Sequence, residues 1–404
     1  MGDAVFVLGG GQTDFSRHLS REGRVLDDLV AEVIDLALDD ARVDASEVGA
    51  VHVGNAFGEL FTGQAHLGAM PATVRAGLWG APATRHEAAC ASGGVAILAA
   101  MAALESGRCD CALVVGVEQE RNVPGDVAAR HMGAAAWVGR EGEGARYLWP
   151  SMFSRVAEVY AERWGLDRRH LAAIAEKNLS NARANPLAQT RAWRFTDASF
   201  SDDDESNPVV EGCVRRTDCA QVTDGAAAVV LCTERFLRGR RLGRAAARVA
   251  GWGHRTAGLG LDEKLRRSAG GGHLLPHLRD AVADAMRRAS VEDWRGLDGV
   301  ETHDCFTITE YMAVDHFGVT APGEAWKAIE EGVTSRGGAI PFNASGGLIG
   351  VGHPVGATGV RMVRDAARQV EGRAGDAQVE GARRFGVLNI GGSGTTAVSF
   401  VLSA

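Results

Sequence analysis

The feature of this sequence that most restricts its fold is an internal repeat, offset by about 250 residues. Apolar residues recur at helical spacing over residues 26–41 and again over residues 278–289, which predicts two amphipathic helices. A short apolar strand follows each helix, within residues 49–57 in the first copy and 299–306 in the second. Because helices alternate with buried strands in both copies, we expect an α/β fold with two related halves.

The two copies continue in the same way. A glycine-rich turn opens a second helix at residues 89–104 and at 352–367, and each helix leads to a buried strand, at 111–117 and at 385–390. Glycine accounts for 53 of the 404 residues, and without a collagen-like period this excess indicates tight turns and close backbone approaches.

A polar, charge-rich segment, residues 119–221, interrupts the first copy before the buried strand at 224–234 that closes it. A segment of this length is more typical of a functional cap than of a linker. The predicted domains are therefore a first half (1–118 and 222–240), a cap (119–221) and a second half (241–404).

Charge and composition exclude some classes of function. The net charge of −8 argues against a nucleic-acid partner, which requires a basic face. No apolar stretch approaches the ~18 residues of a membrane span, and the first residues lack the features of a secretory signal. Seven cysteines without a C-x-x-C pair favour a reducing compartment. We expect a cytoplasmic protein.

Cys90 precedes the first glycine-rich helix, in the sequence HEAACASGG. A thiol at a helix N-terminus meets the positive end of the dipole, which favours the thiolate and makes Cys90 a candidate nucleophile. A buried structural cysteine is the other interpretation. Spacing alone leaves both open.

His353 lies at the corresponding turn of the second copy. Several glycines crowd its imidazole, which suits a base held in a fixed pose around a ligand, although a core histidine remains an equal alternative. These glycines are Gly346, Gly347, Gly350, Gly352, Gly356 and Gly359. Because the repeat would bring equivalent turns to one centre, we expect Cys90 to face His353 as a nucleophile faces its base.

His303, Asp304 and Cys305 follow a strand of the second half, in the motif HDCF. Strand ends of α/β sheets carry ligand contacts, so His303 and Cys305 join the candidate site. Zinc requires three or four convergent ligands, and no spaced Cys/His pairs accompany the motif. We therefore expect no metal.

Together these motifs resemble the thiolase superfamily over almost the whole chain. The resemblance rests on CASG at Cys90, DGAAAV at Asp224, HDCF at His303, and N-x-x-GG with GHP-x-GATG over residues 343–359. HDCF, where thiolases commonly have NEAF, is similar to the sterol-carrier-protein-type branch. The C-x-G of ordinary thiolases is replaced by NIG at residues 389–391.

The resemblance implies a thiolase-like fold: two βαβαβαββ halves in a five-layered α-β-α-β-α arrangement, with the cap inserted in the first half. It also implies the site roles. Cys90 takes the acyl group, His353 activates it, Cys305 is the acid/base in place of the missing C-terminal cysteine, and His303 joins His353 around the thioester oxygen. Backbone N–H groups of Cys90, Gly391 and Gly392 would form a second oxyanion hole.

The activity implied by the resemblance is that of an acyl-CoA C-acyltransferase, which makes or cleaves 3-ketoacyl-CoA. Coenzyme A and acyl-CoA would be substrates, with no permanently bound cofactor, and the cap would hold CoA through residues that no motif identifies. A homodimer or homotetramer is expected by resemblance. A decarboxylating ketoacyl synthase and a non-catalytic subunit of a complex are the alternatives; GHP followed by GATG favours thiolase, and the presence of all four site side chains disfavours an inactive subunit.

Overall fold

A computed structural model describes residues 3–240 and 242–404, so the predicted domain bounds at residues 1 and 241 lie outside the described residues. The strands are β1 (Val5–Gln12), β2 (Ala50–Gly54), β3 (Ala83–His86), β4 (Cys111–Glu118), β5 (Val209–Glu211), β6 (Val214–Arg215), β7 (Gly225–Thr233), β8 (Ala247–Thr256), β9 (Gly299–Thr302), β10 (Arg384–Gly391) and β11 (Thr396–Ser403). The helices are α1 (Leu26–Ala41), α2 (Gly58–Thr62), α3 (Met70–Val74), α4 (Ser92–Glu105), α5 (Gly125–Met132), α6 (Leu148–Trp164), α7 (Arg168–Ala182), α8 (Glu234–Arg238), α9 (Leu261–Arg267), α10 (Pro276–Arg288), α11 (Thr307–His316), α12 (Ala325–Glu330), α13 (Gly347–Val351) and α14 (Val355–Val370).

The strand pairing shows the repeat directly. In the first half β2 and β4 are parallel, while β4 with β7 and β7 with β1 are antiparallel. In the second half β9 and β10 are parallel, while β10 with β11 and β11 with β8 are antiparallel. The counterpart of β3 is reduced to one parallel bridge between Val300 and Phe342. Two related α/β halves are confirmed.

Helices and strands alternate in five layers. Helix α1 packs on β1, β4 and β7, and α10 packs on β8 and β11, so these two helices form the outer layers. Helices α4 and α14 pack on each other and on strands of both halves, between the two sets of strands. The halves are also joined at one edge, where Phe6 and Val7 of β1 pair with Arg248 and Ala247 of β8, so the strands form one continuous nine-stranded sheet.

Glycines let the two central helices approach closely. A Cβ on Gly93 of α4 would lie 2.8 Å from the carbonyl oxygen of Gly356, and one on Gly359 of α14 would lie 2.4 Å from the backbone nitrogen of Gly94. Any side chain here would force the helices apart. The close approaches expected from the glycine excess therefore occur where α4 and α14 begin, next to Cys90 and His353.

Residues 119–221 contain α5, α6, α7 and the small β5–β6 ribbon. Helix α6 is the longest of these helices, from Leu148 to Trp164. Although the segment is inserted in the first half, α7 packs on α11, α12 and α13 of the second half, and Phe153 of α6 stacks on Phe306 at 4.5 Å between ring centroids. The segment thus covers the strand end that carries HDCF. Among the described residues, no helix is long and apolar enough to cross a membrane.

Candidate active site

Cys90 sits on a constrained turn between β3 and α4. The preceding residue, Ala89, has a left-handed backbone with φ of 51°, a conformation that costs free energy for a residue other than glycine and is often found at functional sites. Ser92 closes the turn: its hydroxyl accepts the Ala88 N–H at 2.9 Å and donates to the Ala89 carbonyl at 2.6 Å. The turn holds the thiol ahead of the first turn of α4.

The structure brings the candidate nucleophile and both histidines together. Sγ of Cys90, one ring nitrogen of His303 and one ring nitrogen of His353 all lie within 4.8 Å of one another. The two imidazoles meet edge to face, with ring centroids 5.2 Å apart and an interplanar angle of 85°. One thiol and two imidazoles are also a donor set that zinc accepts, and the expectation that no metal is needed stays a prediction.

A hydrogen-bond chain sets the tautomer of His353. Its Nδ1 lies 2.7 Å from Oγ1 of Thr358, and that hydroxyl donates its only proton to the Pro354 carbonyl at 3.0 Å. Thr358 must therefore accept from His353, so Nδ1 carries the proton and Nε2 keeps a free lone pair. His353 can therefore accept a proton at Nε2.

Asn389 fixes the opposite tautomer in His303. Its side-chain N–H groups reach the Cys90 carbonyl at 3.0 Å and Nδ1 of His303 at 3.3 Å. Because an amide N–H can only donate, Nδ1 of His303 is the acceptor and Nε2 carries the proton. In the sequence Asn389 marked only the place of a missing cysteine; the structure shows that it fixes both the nucleophile turn and His303.

Both histidines are neutral. Burial, and after it the field of Arg361, lower the pKa of His353 to about 3. Burial, and after it the neighbouring His353, lower the pKa of His303 well below its usual value. A neutral imidazole with one free nitrogen acts as a base, and one with a single N–H acts as a hydrogen-bond donor.

The expectation that helix α4 would favour a thiolate at Cys90 is wrong for the free protein. Burial raises the pKa of the Cys90 thiol to about 12, and the field of Glu120 acts in the same direction. Backbone N–H groups of Gly392 and Cys90 hydrogen-bond the sulfur and lower its pKa, but desolvation of the charged form is the larger effect. The thiol therefore needs a base at the moment of reaction.

Within HDCF, Asp304 points away from Cys90. Its carboxylate accepts the Leu348 and Ile349 N–H groups at 2.5 and 3.3 Å, and an N–H of Asn178 from helix α7 at 2.8 Å. Asp304 thus ties the motif to the glycine-rich segment before His353 and to the cap. Its role in the structure is to hold the turns that carry the site.

One cavity of about 330 Å³ joins the remaining candidate residues. Cys90, Cys305, His353 and Gly392 line it together with Glu120. Side chains of α5 and α6, including Met132, Trp149 and Phe153, also line it. Cys305 is 8% exposed, and burial raises the pKa of its thiol well above its usual value. Gly391 is not among the described residues that line this cavity; it lines a second cavity, together with Gly392.

A buried lysine hydrogen-bonds the turn that carries Gly392. Nζ of Lys264 donates to Oγ of Ser393 and Oγ1 of Thr395, both at 2.8 Å, and to the Leu259 carbonyl at 2.9 Å. Burial lowers the pKa of Lys264 to about 8. No motif marked this lysine or Glu120 in the sequence; each stands among other charged residues, and only the fold determines that it is buried.

The fold and the site define an α/β enzyme with two pseudo-symmetric halves and a cysteine thiol close to two imidazoles. Residues 5–195 match the family model described as thiolase, N-terminal domain, and residues 273–404 match that of the thiolase C-terminal domain-like family. The chain is 33% identical to an acetyl-CoA acetyltransferase of Methanothermobacter thermautotrophicus over 99% of both chains. The chain belongs to the thiolase family.

Two further comparisons agree with this assignment. Human sterol carrier protein 2 is 28% identical over 98% of this chain and 71% of its own length. A solved structure titled Ltp2-ChsH2(DUF35) aldolase superposes with a TM-score of 0.78 at 20% identity, covering all of this chain and 98% of that one; at this identity the likeness supports the fold alone. The resemblance to sterol-carrier-protein-type thiolases is confirmed, and neither alternative function is favoured.

Proposed function

We propose that the protein is an acyl-CoA C-acyltransferase that makes or cleaves 3-ketoacyl-CoA through an acyl-Cys90 intermediate. The observation that carries the proposal is the convergence of the Cys90 sulfur with a histidine whose Nε2 is held free as a base. A thiol that needs a base, and a base aimed at it, form the activated nucleophile that acyl transfer requires.

In the first half-reaction, Nε2 of His353 takes the Cys90 proton while Sγ attacks the thioester carbonyl. The C–S bond to CoA then breaks, and the leaving thiolate takes the proton of Cys305. Because burial keeps Cys305 protonated in the free protein, this thiol is an acid at this stage and becomes a thiolate base for the next one.

In the second half-reaction, the Cys305 thiolate removes an α-proton from a second acyl-CoA. The enolate carbon attacks the acyl group on Cys90 and forms the carbon-carbon bond, and Cys90 leaves as a thiolate that recovers its proton from His353. Cleavage runs through the same steps in reverse, with CoA thiol accepting the acyl group.

Each half-reaction develops a negative oxygen that needs donors. The Nε2–H of His303, fixed by Asn389, and protonated His353 are the donors proposed for the thioester oxygen of the enolate. The N–H groups of Gly392 and Cys90 lower the pKa of the Cys90 thiol and are the donors proposed for the tetrahedral oxygen. Removing one such donor typically costs about 10²–10³ in rate.

Intact-protein mass spectrometry after mixing with acetyl-CoA tests the nucleophile. We expect an acetyl adduct on the wild type and on a Cys213→Ala control, which removes an exposed cap thiol, and none on Cys90→Ala. A full adduct on Cys90→Ala would overturn the assignment. Cys305→Ala should still acylate Cys90, because the departing CoA thiolate can take its proton from water, but it should fail to cleave acetoacetyl-CoA. Normal cleavage would refute the acid/base role of Cys305.

The domain division, the position of CoA, the assembly and the compartment belong to the same proposal. CoA would enter the cavity between the cap, residues 119–221, and the body, because residues of α5 and α6 line it. A homodimer or homotetramer in the cytoplasm is proposed. The edge position of β3 supports self-association, since an edge strand can pair with a second copy. Analytical ultracentrifugation tests the assembly.

A further inference from the structure

The inner wall of the active-site cavity contains a carboxyl group that the proposed reaction does not use. Glu120 follows β4 and lines the cavity together with Cys90 and His353, yet it is only 1% exposed. Its Oε1 accepts the Val355 N–H at 3.3 Å. Within the part of the chain that the structure describes, no group hydrogen-bonds its Oε2.

The Glu120 carboxyl holds its proton more tightly than an ordinary carboxyl does. Burial raises its pKa well above the usual value, and the nearby carboxyl groups of Glu118 and Asp224 raise it further. Because Oε1 receives a backbone N–H, it behaves as the carbonyl oxygen, and the proton belongs on Oε2. A protonated carboxylic acid is a hydrogen-bond donor.

The acyl group on Cys90 is the ligand that this donor meets. Glu120 and Cys90 line the same cavity, so an acyl group on the sulfur shares that cavity with the carboxyl. The rest of the lining is mostly apolar, with Phe57, Met132 and Phe153 as examples. An acyl chain built only of carbon and hydrogen leaves the Glu120 hydroxyl without a partner.

An unpaired buried donor is costly, by about 1–3 kcal/mol. Sites that hydrogen-bond a polar substrate group also reject analogues that lack it. Resting on the proposed function, we propose that Glu120 is a specificity-determining residue that selects acyl groups carrying an oxygen acceptor, a hydroxyl or keto group, a few bonds from the thioester.

Glu118 offers a matched control. It is two residues earlier, equally buried, and also has one oxygen without a hydrogen-bond partner among the described residues. Its other oxygen accepts the backbone N–H groups of Ala56 and Phe57, and it is not among the described residues that line the cavity. A change of charge at Glu118 therefore perturbs the same strand end without removing the donor from the cavity.

The test measures acylation of Cys90 by butyryl-CoA, 3-hydroxybutyryl-CoA and 4-hydroxybutyryl-CoA. Quenched time courses read by intact-protein mass spectrometry give the second-order rate constants for wild type, Glu120→Gln, Glu120→Met and Glu118→Gln. We expect wild type to prefer at least one hydroxylated substrate over butyryl-CoA by about tenfold or more. Glu120→Met should lose this preference, while Glu120→Gln, which keeps an N–H donor, should retain part of it and Glu118→Gln all of it.

Equal rates for all three substrates in wild type would overturn the inference, and this comparison needs no variant to fold. A preference that survives in Glu120→Met would also overturn it. Repeating the comparison with N-acetylcysteamine thioesters, which carry the same acyl groups on a short arm, should preserve the preference; its loss would mean that Glu120 contacts the CoA arm and would refute the proposal. Failure of every acyl-CoA to acylate wild type would refute the proposed function, which is a separate result.

Discussion

The hydroxyl of Thr358 decides whether His353 can serve as a base, so Thr358→Val is the sharpest test of the site. Valine keeps the shape of threonine but removes the acceptor of the Nδ1–H at 2.7 Å, as well as the bond to the Pro354 carbonyl at 3.0 Å. His353 then either keeps a buried Nδ1–H without a partner or moves the proton to Nε2. In the second case the nitrogen that must take the Cys90 proton is blocked.

The magnitude follows from the cost of an unpaired buried donor, about 1–3 kcal/mol. That cost disfavours the productive tautomer and corresponds to about a 5- to 150-fold loss in rate at one tenfold per 1.4 kcal/mol. Single-turnover acetylation of Cys90 by acetyl-CoA, followed by quenched mass spectrometry, isolates the step. Thr358→Ser is the matched control, because its hydroxyl restores both hydrogen bonds, and it should acylate within a few-fold of wild type.

Thr358→Val acylating as fast as Thr358→Ser would refute the tautomer argument. The two variants must first be shown to be equally folded by circular dichroism and thermal unfolding. A loss confined to the unfolding temperature, with unchanged acylation in the folded fraction, would likewise mean that Thr358 only stabilises the start of α14.

Three other outcomes test other parts of the site. Asn389→Asp replaces the donor to Nδ1 of His303 with an acceptor, so it should slow acetoacetyl-CoA cleavage by about 10²-fold; intact cleavage in this variant would argue against this positioning. Gly359→Ala places a Cβ 2.4 Å from the Gly94 nitrogen and should lower the unfolding free energy by about 1–3 kcal/mol, measured by urea unfolding. Alkylation of the half-buried Cys90 by iodoacetamide should rise about tenfold per pH unit from pH 6 to 9 without a plateau, because its thiol pKa of about 12 lies above that range; a plateau near pH 7 would contradict the raised pKa.

The sequence predicted the helices and strands that the repeat carries, because their signals are local. The apolar period over residues 26–41 coincides with α1 (Leu26–Ala41), and the glycine-rich turns before α4 and α14 lie next to Cys90 and His353 as the repeat requires. Pairing the two turns needed only the assumption that equivalent elements are related by pseudo-symmetry. Hydrophobic periodicity predicts the order of helices and strands in each half, and the repetition of that order relates the two halves.

The parts that the sequence did not predict depend on contacts between distant segments. The amide of Asn389 acts through His303 and the Cys90 carbonyl, which lie 86 and 299 residues away along the chain. The charge state of Glu120 depends on burial and on Glu118 and Asp224. The position of Cys90 before a helix predicted a thiolate. The helix dipole has only a modest effect on a pKa, and the sequence does not show how strongly desolvation opposes it.

Burial also explains why the Cys90 thiol and the two imidazoles are uncharged before substrate binds. A neutral thiol beside neutral imidazoles costs far less in a desolvated cavity than a thiolate-imidazolium pair would, because burial disfavours each charged form. The raised pKa of Cys90, about 12, and the lowered pKa of His353, about 3, both favour the neutral form of the side chain. In the proposed mechanism, proton transfer becomes favourable only when the attacked carbonyl places its developing charge beside the N–H groups of Gly392 and Cys90. The same apolar surroundings that suppress side reactions of the thiol thus make those donors more effective, since electrostatic interactions strengthen where water is excluded.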